Sequence, residues 1–213
     1  MSRAPGLRER KKQQTRQTIA EAARRLFAER GFDAVTVADV ATAADVSEGT
    51  VFNYFPTKED LFYDPMESFE AALVDAIRER AAGESLLAAF SRFVLDRSRG
   101  LAADERADVI ARAAHIITAS PALQARERGI VAHYTDELAA LIAEETRAGA
   151  GNPEPWVAAN ALMGVQRALS MHVRAAVLAG KRGPRLEADV KSQGRRAFAR
   201  LERGLADYAV KPR

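Results

Sequence analysis

The chain predicts an all-α protein in two parts, a small N-terminal module of three helices followed by a longer helical bundle, and three observations carry that prediction. Apolar residues recur at helical spacing in nearly every segment, and no run alternates apolar and polar residues between turns as a half-buried strand does. Two short helical segments within residues 36–55 are joined by a turn so tight that they must cross steeply. From Lys58 onward the segments lengthen, and only brief Gly- or Pro-containing breaks interrupt them, as between antiparallel neighbours in a bundle.

The elements follow in order. The first helix is expected over about residues 15–30, with Ile19, Ala22, Ala23, Leu26 and Phe27 on one face; Gly31 stands where a C-cap glycine belongs, and Phe32 folds back on the last turn. Thr36 with Asp39 three residues on has the form of a capping box and opens a second helix that turns Val37, Val40 and Ala41 inward. Ala44, Asp45 and Val46 then lead to Ser47, the N-cap of a third helix running from Glu48 to about Phe55. Later helices are expected at 58–81, 84–99, 104–118, 121–148, 155–178 and 185–208, with Pro65 predicting a kink or break inside the first of them. The resulting boundaries are a flexible basic arm at 1–14, a helix-turn-helix module at 15–57, the bundle at 58–208 and a frayed tail at 209–213.

Composition narrows the function classes. With 47% hydrophobic and 29% charged residues in a chain of 213, disorder is excluded and either one large core or a small module joined to a larger one is affordable. The formal charge is +3, yet residues 1–16 alone carry a net +5, so the remainder is slightly acidic. A clustered basic arm suits a polyanion, although a charge run at a terminus is also what a solvated segment looks like. The absence of cysteine excludes disulfides and thiolate zinc sites. The N-terminus has no apolar signal core, and no run approaches the about 18 apolar residues of a membrane span, so a cytoplasmic protein without a membrane partner is expected. No Gly-x-Ser-x-Gly elbow, phosphate-cradling glycine loop or His-Glu-x-x-His occurs, and His115, His133 and His172 lack short metal-ligand spacing; an enzyme, a cofactor and a metal site are all disfavoured.

The third helix carries the chemistry. Val51 and Phe55 are four residues apart and share the face that plugs into the first two helices. Gly49, Thr50, Asn53 and Tyr54 lie elsewhere, a surface of hydroxyls, an amide and bare backbone that suits phosphates and base edges. A glycine inside a helix costs about 1 kcal/mol against alanine, and close approach of another molecule is a common reason to accept it. The helix N-terminus favours phosphate oxygens, and Asn53 has the bidentate geometry for adenine. Glu48 reads either as an acceptor for cytosine N4 or as a stabilising acid in the first turn. Phe52 and Tyr54 read either as contacts or as packing against the first helix, Phe52 the more so.

These residues carry a resemblance. The run TVADVATAADVSEGTVFNYFPTKEDL, residues 36–61, together with LFAERGFDAVTV before it, resembles the signature of the TetR/AcrR family of bacterial one-component transcriptional regulators, over about residues 15–62. The resemblance implies DNA phosphate contacts at Thr36, Ser47, Thr50, Tyr54 and Lys58, and base-reading positions at Glu48, Gly49, Phe52 and Asn53. Asp45 departs from the usual turn glycine, which aspartate tolerates because it visits the left-handed region, and Phe52 departs from a commoner tyrosine and loses its hydroxyl.

It further implies that residues from about 62 form a helical domain that dimerises and encloses an effector pocket. In 156–179, Ala158, Ala159, Ala161, Gly164 and Ala168 mix with Leu162, Val165 and Leu169, as suits a helix buried on two sides, so a homodimer through the last two helices is expected. Phe69, Phe90, Phe93, Ile116, Tyr134, Trp156 and Met163 are candidates for an apolar pocket, with Arg112, His115, Asn160, Gln166 and Arg167 as orienting polar groups; plain core packing is the alternative for each apolar residue. Residues 117–145 are faintly similar to the ligand domain of mycofactocin-type regulators, which implies a hydrophobic or acyl-bearing effector. The expected function is a homodimeric repressor released from a double-stranded, pseudo-palindromic operator by a small hydrophobic effector. An activator or an effector-independent DNA binder is the alternative.

Overall fold

The computed structural model describes residues 6–205, and among these no β-strand occurs. Helix α1 (Leu7–Arg30) begins eight residues before the expected Thr15, so Leu7–Gln14 of the supposed flexible arm are helical; residues 1–5 of the arm and the expected tail at 209–213 lie outside the described residues. The early start has a local cause. Residues 7–14, LRERKKQQ, are all good helix formers but present no apolar face, so their propensity is invisible to periodicity.

Helices α2 (Val37–Ala43) and α3 (Glu48–Tyr54) follow the expected pattern. The Thr36 hydroxyl accepts the Asp39 N–H at 3.1 Å, and the Asp39 carboxylate accepts the Thr36 N–H at 2.8 Å, completing the capping box. Asp45 takes φ 55°, the left-handed conformation that its place in the turn demands. Ser47 accepts the Thr50 N–H at 3.1 Å and caps α3.

Helix α4 (Lys58–Arg78) continues through Pro65, so of the kink or break expected there the break does not occur. A proline removes one main-chain bond, and the buried Leu61 and Tyr63 before it and Leu73 and Ile77 after it hold the helix together. The chain continues through α5 (Leu86–Arg97), a 3-10 turn at Ser98–Ala102, α6 (Asp104–Ala119), α7 (Pro121–Thr146), α8 (Glu154–Leu178) and α9 (Gly183–Leu205). No helix in the described residues is long and apolar enough to cross a membrane.

These elements fall into two units, Met1–Glu67 with Ile116–Arg126, and Ser68–His115 with Glu127–Arg213. The first centres on Ile19, Phe27, Val35, Val40, Val51, Phe55 and Leu61, all at most 2% exposed, with the rings of Phe27, Phe32 and Phe62 within 5.1–6.1 Å of one another. The second holds a large apolar cluster that includes Leu73, Ile77, Phe90, Leu138, Ile142, Leu162 and Met163, and a smaller one around Leu101, Ala107, Val177 and Leu186. A Cβ on Gly194 of α9 would lie 2.6 Å from Leu95 Cδ2, so the glycine marks where α9 closes on α5.

Helix α8 carries two apolar faces. Ala158, Ala159, Leu162 and Leu169 are buried in the unit's own core. On the other side, Val157, Ala161, Gly164, Ala168, Met171, Ala175 and Leu178 follow one another alternately four and three residues apart; all but the half-buried Ala161 are exposed, Val157 at 56%, Met171 at 59% and Leu178 at 44%. The small residues that the sequence showed mixed together are thus divided between an inner and an outer stripe.

Candidate nucleic-acid interface

Helix α3 is anchored by Val51 and Phe55, 0% and 1% exposed, and this fixes which residues it presents. Ser47, Glu48, Gly49, Phe52 and Asn53 are exposed, and Thr50 and Tyr54 are half-buried. Phe52 is 48% exposed, so the packing role that suited it better than Tyr54 falls to Tyr54 instead. A Cβ on Gly49 would meet only Ser47 Oγ, at 3.8 Å, an ordinary contact; nothing within the protein demands a glycine there. Ser47 and Thr50 join their hydroxyls at 2.9 Å at the helix N-terminus. Thr36 is exposed, but its hydroxyl donates to Asp39 at 2.7 Å; with the Thr36 N–H and the nearby Arg30, this holds the Asp39 carboxyl below its usual range.

Two basic residues are turned to the protein itself. The Lys58 ammonium donates to the Phe32 and Val35 carbonyls, each at 3.0 Å, and lies 4.2 Å from the centre of the Phe32 ring. Lys58, for which the resemblance implied a phosphate contact, thus ties the start of α4 to the loop between α1 and α2. Arg16, counted in the basic arm, donates to Asp64 and, at 3.0 Å, to the Tyr54 carbonyl, while its guanidinium stacks 4.4 Å from the Phe55 ring. It fastens the end of α3 to α1 and α4. Arg126 of α7 likewise donates to Asp60 and Glu67 of α4, both at 2.6 Å, and the Tyr63 hydroxyl donates to the Leu123 carbonyl at 3.0 Å.

Sequence reasoning counted Lys12 in a basic arm but did not place it beside α3. Lys12 and Gln13, with Arg16, line a groove of about 360 Å³ whose other wall is Asn53 and Tyr54. The signal was available, since a helix continued back from Arg16 puts Lys12 one turn before it on the same face.

The candidate effector residues are not gathered into one wall. Phe90 and Met163 are buried in the large cluster, Phe93 and Tyr134 pack against it, and Phe69 meets Phe93 with ring centres 5.5 Å apart. Arg112, His115 and Arg167 are exposed, Trp156 is 56% exposed with its carbonyl accepting from the Asn160 amide at 2.8 Å, and Gln166 is half-buried. Ile116 belongs to the other unit. A groove of about 330 Å³ in this unit is lined by other residues, among them Leu87, Leu95, Arg195, Phe198 and Glu202. Helical periodicity marks which residues point inward and cannot distinguish a pocket wall from a core, which is why these candidates scatter.

Comparison with known proteins places this geometry. The model of bacterial regulatory proteins of the tetR family matches residues 19–63. The HTH-type transcriptional regulator TcmR of Streptomyces glaucescens is 35% identical over 133 residues, 61% of this chain and 56% of that protein, so the chain spans little more than half the length of this relative. Thermus thermophilus FadR, a TetR-family repressor solved with lauroyl-CoA, shares the fold with a TM-score of 0.53 and 20% identity over 86% of this chain and 93% of that one. Bacillus subtilis FadR, solved with stearoyl-CoA, does so with a TM-score of 0.52 and 22% identity over 86% and 97%. Residues 19–63 thus match the model of the tetR family of bacterial regulatory proteins, and the helical architecture is shared with the two FadR structures.

Proposed function

We propose that this protein is a cytoplasmic, homodimeric, ligand-responsive repressor that reads a pseudo-palindromic operator with α3 and leaves it when a largely hydrophobic effector binds the helical unit. The observation that carries the reading is the outward face of α3, where a Cβ on Gly49 would meet only Ser47 Oγ at ordinary contact distance, beside exposed Asn53 and Phe52. Asn53 pairs with adenine in the major groove, Phe52 offers an apolar contact to a thymine methyl, and Gly49 gives the backbone clearance to approach. Thr50, Ser47 and the first amides of α3 face phosphate, joined by Lys12 across the groove and by the exposed Arg8, Arg10 and Lys11 on the same helix. Dimerisation through the outer stripe of α8, with α9 beside it, sets two such modules about 34 Å apart, one turn of the DNA helix. The effector acts only through a difference in its affinity for the bound and released states.

A genomic-fragment binding selection with the purified protein tests this. The recovered fragments should share a two-fold-related motif overlapping promoters, and Asn53→Ala should recover a different motif. Fragments without a common sequence, or a motif indifferent to Asn53→Ala, would overturn the reading.

A further inference from the structure

Glu70 on α4 is 2% exposed, and its Oε2 is buried with no hydrogen-bond partner among the described residues. The buried cation of the same unit is treated differently. Arg80, 3% exposed, donates to both Glu145 carboxylate oxygens at 2.9 and 2.6 Å and to the carbonyls of Ile77 and Glu84. For Glu70, burial alone pushes the carboxyl up to about 7. One turn along the helix lie Leu73 and Val74, members of the cluster that also contains Phe90 and Met163. An apolar residue at position 70 would continue that pattern without stranding a polar atom. A buried carboxyl without partners is costly, and such groups persist in native proteins where something outside the fold uses them.

We propose that Glu70 is the polar anchor of the effector site and receives a protonated amine carried on an apolar ligand. A cationic nitrogen supplies the charge-assisted hydrogen bond that the orphaned oxygen lacks and stabilises the ionised carboxylate by direct attraction. A ligand carboxylate or phosphate meets repulsion at the same point. The assignment deepens, and rests on, the reading of this unit as an effector domain.

The test uses the full chain, Glu70→Gln and Glu70→Leu, with decylamine, decanol and decanoate below their micellar concentrations, followed by calorimetry and thermal melting. The unmodified protein should bind the amine at least about tenfold more tightly than the alcohol, with decanoate weakest, and Glu70→Gln should lose that preference. Without ligand, Glu70→Leu should melt no lower than the unmodified protein. Failure of all three probes to bind, equal affinity for amine and alcohol, an amine preference that survives in Glu70→Gln, or a lowered melting temperature in Glu70→Leu each overturns the assignment. The genomic selection run on the same samples separates the two levels. If it still recovers a shared motif, only the effector class is lost; if it recovers none, the regulator reading itself fails.

Discussion

Helices α3 and α8 each give one face to their own core and turn another to solvent, and the chemistry of the two outward faces is opposite. The α3 face presents an amide, hydroxyls and open glycine backbone around the exposed Phe52, with the half-buried Tyr54 at its edge. The α8 face presents an uninterrupted stripe from Val157 to Leu178 at coiled-coil-like spacing, with small residues at its centre and Val157, Met171 and Leu178 towards its ends. A hydrated polyanion is met by hydrogen bonds and close backbone approach, whereas another protein surface is met by apolar burial. The difference teaches that exposure alone does not identify a partner; the residue types on the exposed face do. The sharpest way to break the comparison is a charge in the middle of the α8 stripe. Ala168→Glu should weaken self-association by more than about 100-fold, since an unpaired charge buried in an interface costs 3–5 kcal/mol. Operator affinity should collapse with it, while the melting temperature stays near its original value. Sedimentation that shows an unchanged dimer would remove α8 from the interface.

The two regions also differ in how far the sequence revealed them. The recognition module is coded locally: the Thr36–Asp39 box, the Ser47 cap and the Val51–Phe55 anchor each involve residues within a few positions of one another and stand where the spacing put them, and Asp45 takes the left-handed turn conformation that the resemblance implied. The hydrogen bonds that Lys58 and Arg16 make within the module were not legible, because their acceptors lie 23–48 residues away, where no local pattern reaches. In the helical unit the inward direction of Phe90 and Met163 was legible from periodicity, and the exposure of Trp156 was not. Glu70 escaped notice for a related reason: an acid on a helix is ordinary until tertiary packing removes its water.

Glu70 sharpens the comparison from the inside, as an ionisable group on a face otherwise given to apolar packing. Its carboxyl is raised in the folded protein, so between its unfolded value near 4.5 and its folded value of about 7 the unfolded chain binds fewer protons than the native one. Stability should therefore fall as pH rises through that window and level off above it, with an amplitude of roughly 3 kcal/mol. Glu70→Gln should remove that fall. Denaturant melts at pH 5 and pH 8 check this, and an unchanged pH dependence in the variant would place its origin in another group.

Lys58 separates structural from interfacial cations on the DNA-binding side. Lys58→Ala removes two hydrogen bonds and a cation–π contact, so it should lower stability by about 1–2 kcal/mol. The salt dependence of DNA binding should stay as it was, whereas Lys12→Ala should reduce its slope by about one. A reduced slope in Lys58→Ala, measured well below its melting temperature, would return that residue to the phosphate contacts.

The smallest effect lies at Gly49, where fold and function should move in opposite directions. The added methyl of Gly49→Ala meets only Ser47 Oγ at ordinary contact distance, so the helix gains alanine's propensity without strain and the module should become more stable by up to about 1 kcal/mol. The same methyl occupies the space through which the backbone approaches DNA, so operator affinity should fall even as the melting temperature rises. That split is what distinguishes a glycine kept for an outside partner from one such as Gly194, where a Cβ would meet Leu95 at 2.6 Å. If Gly49→Ala raised stability and left operator affinity intact, the clearance assigned to α3 would be absent.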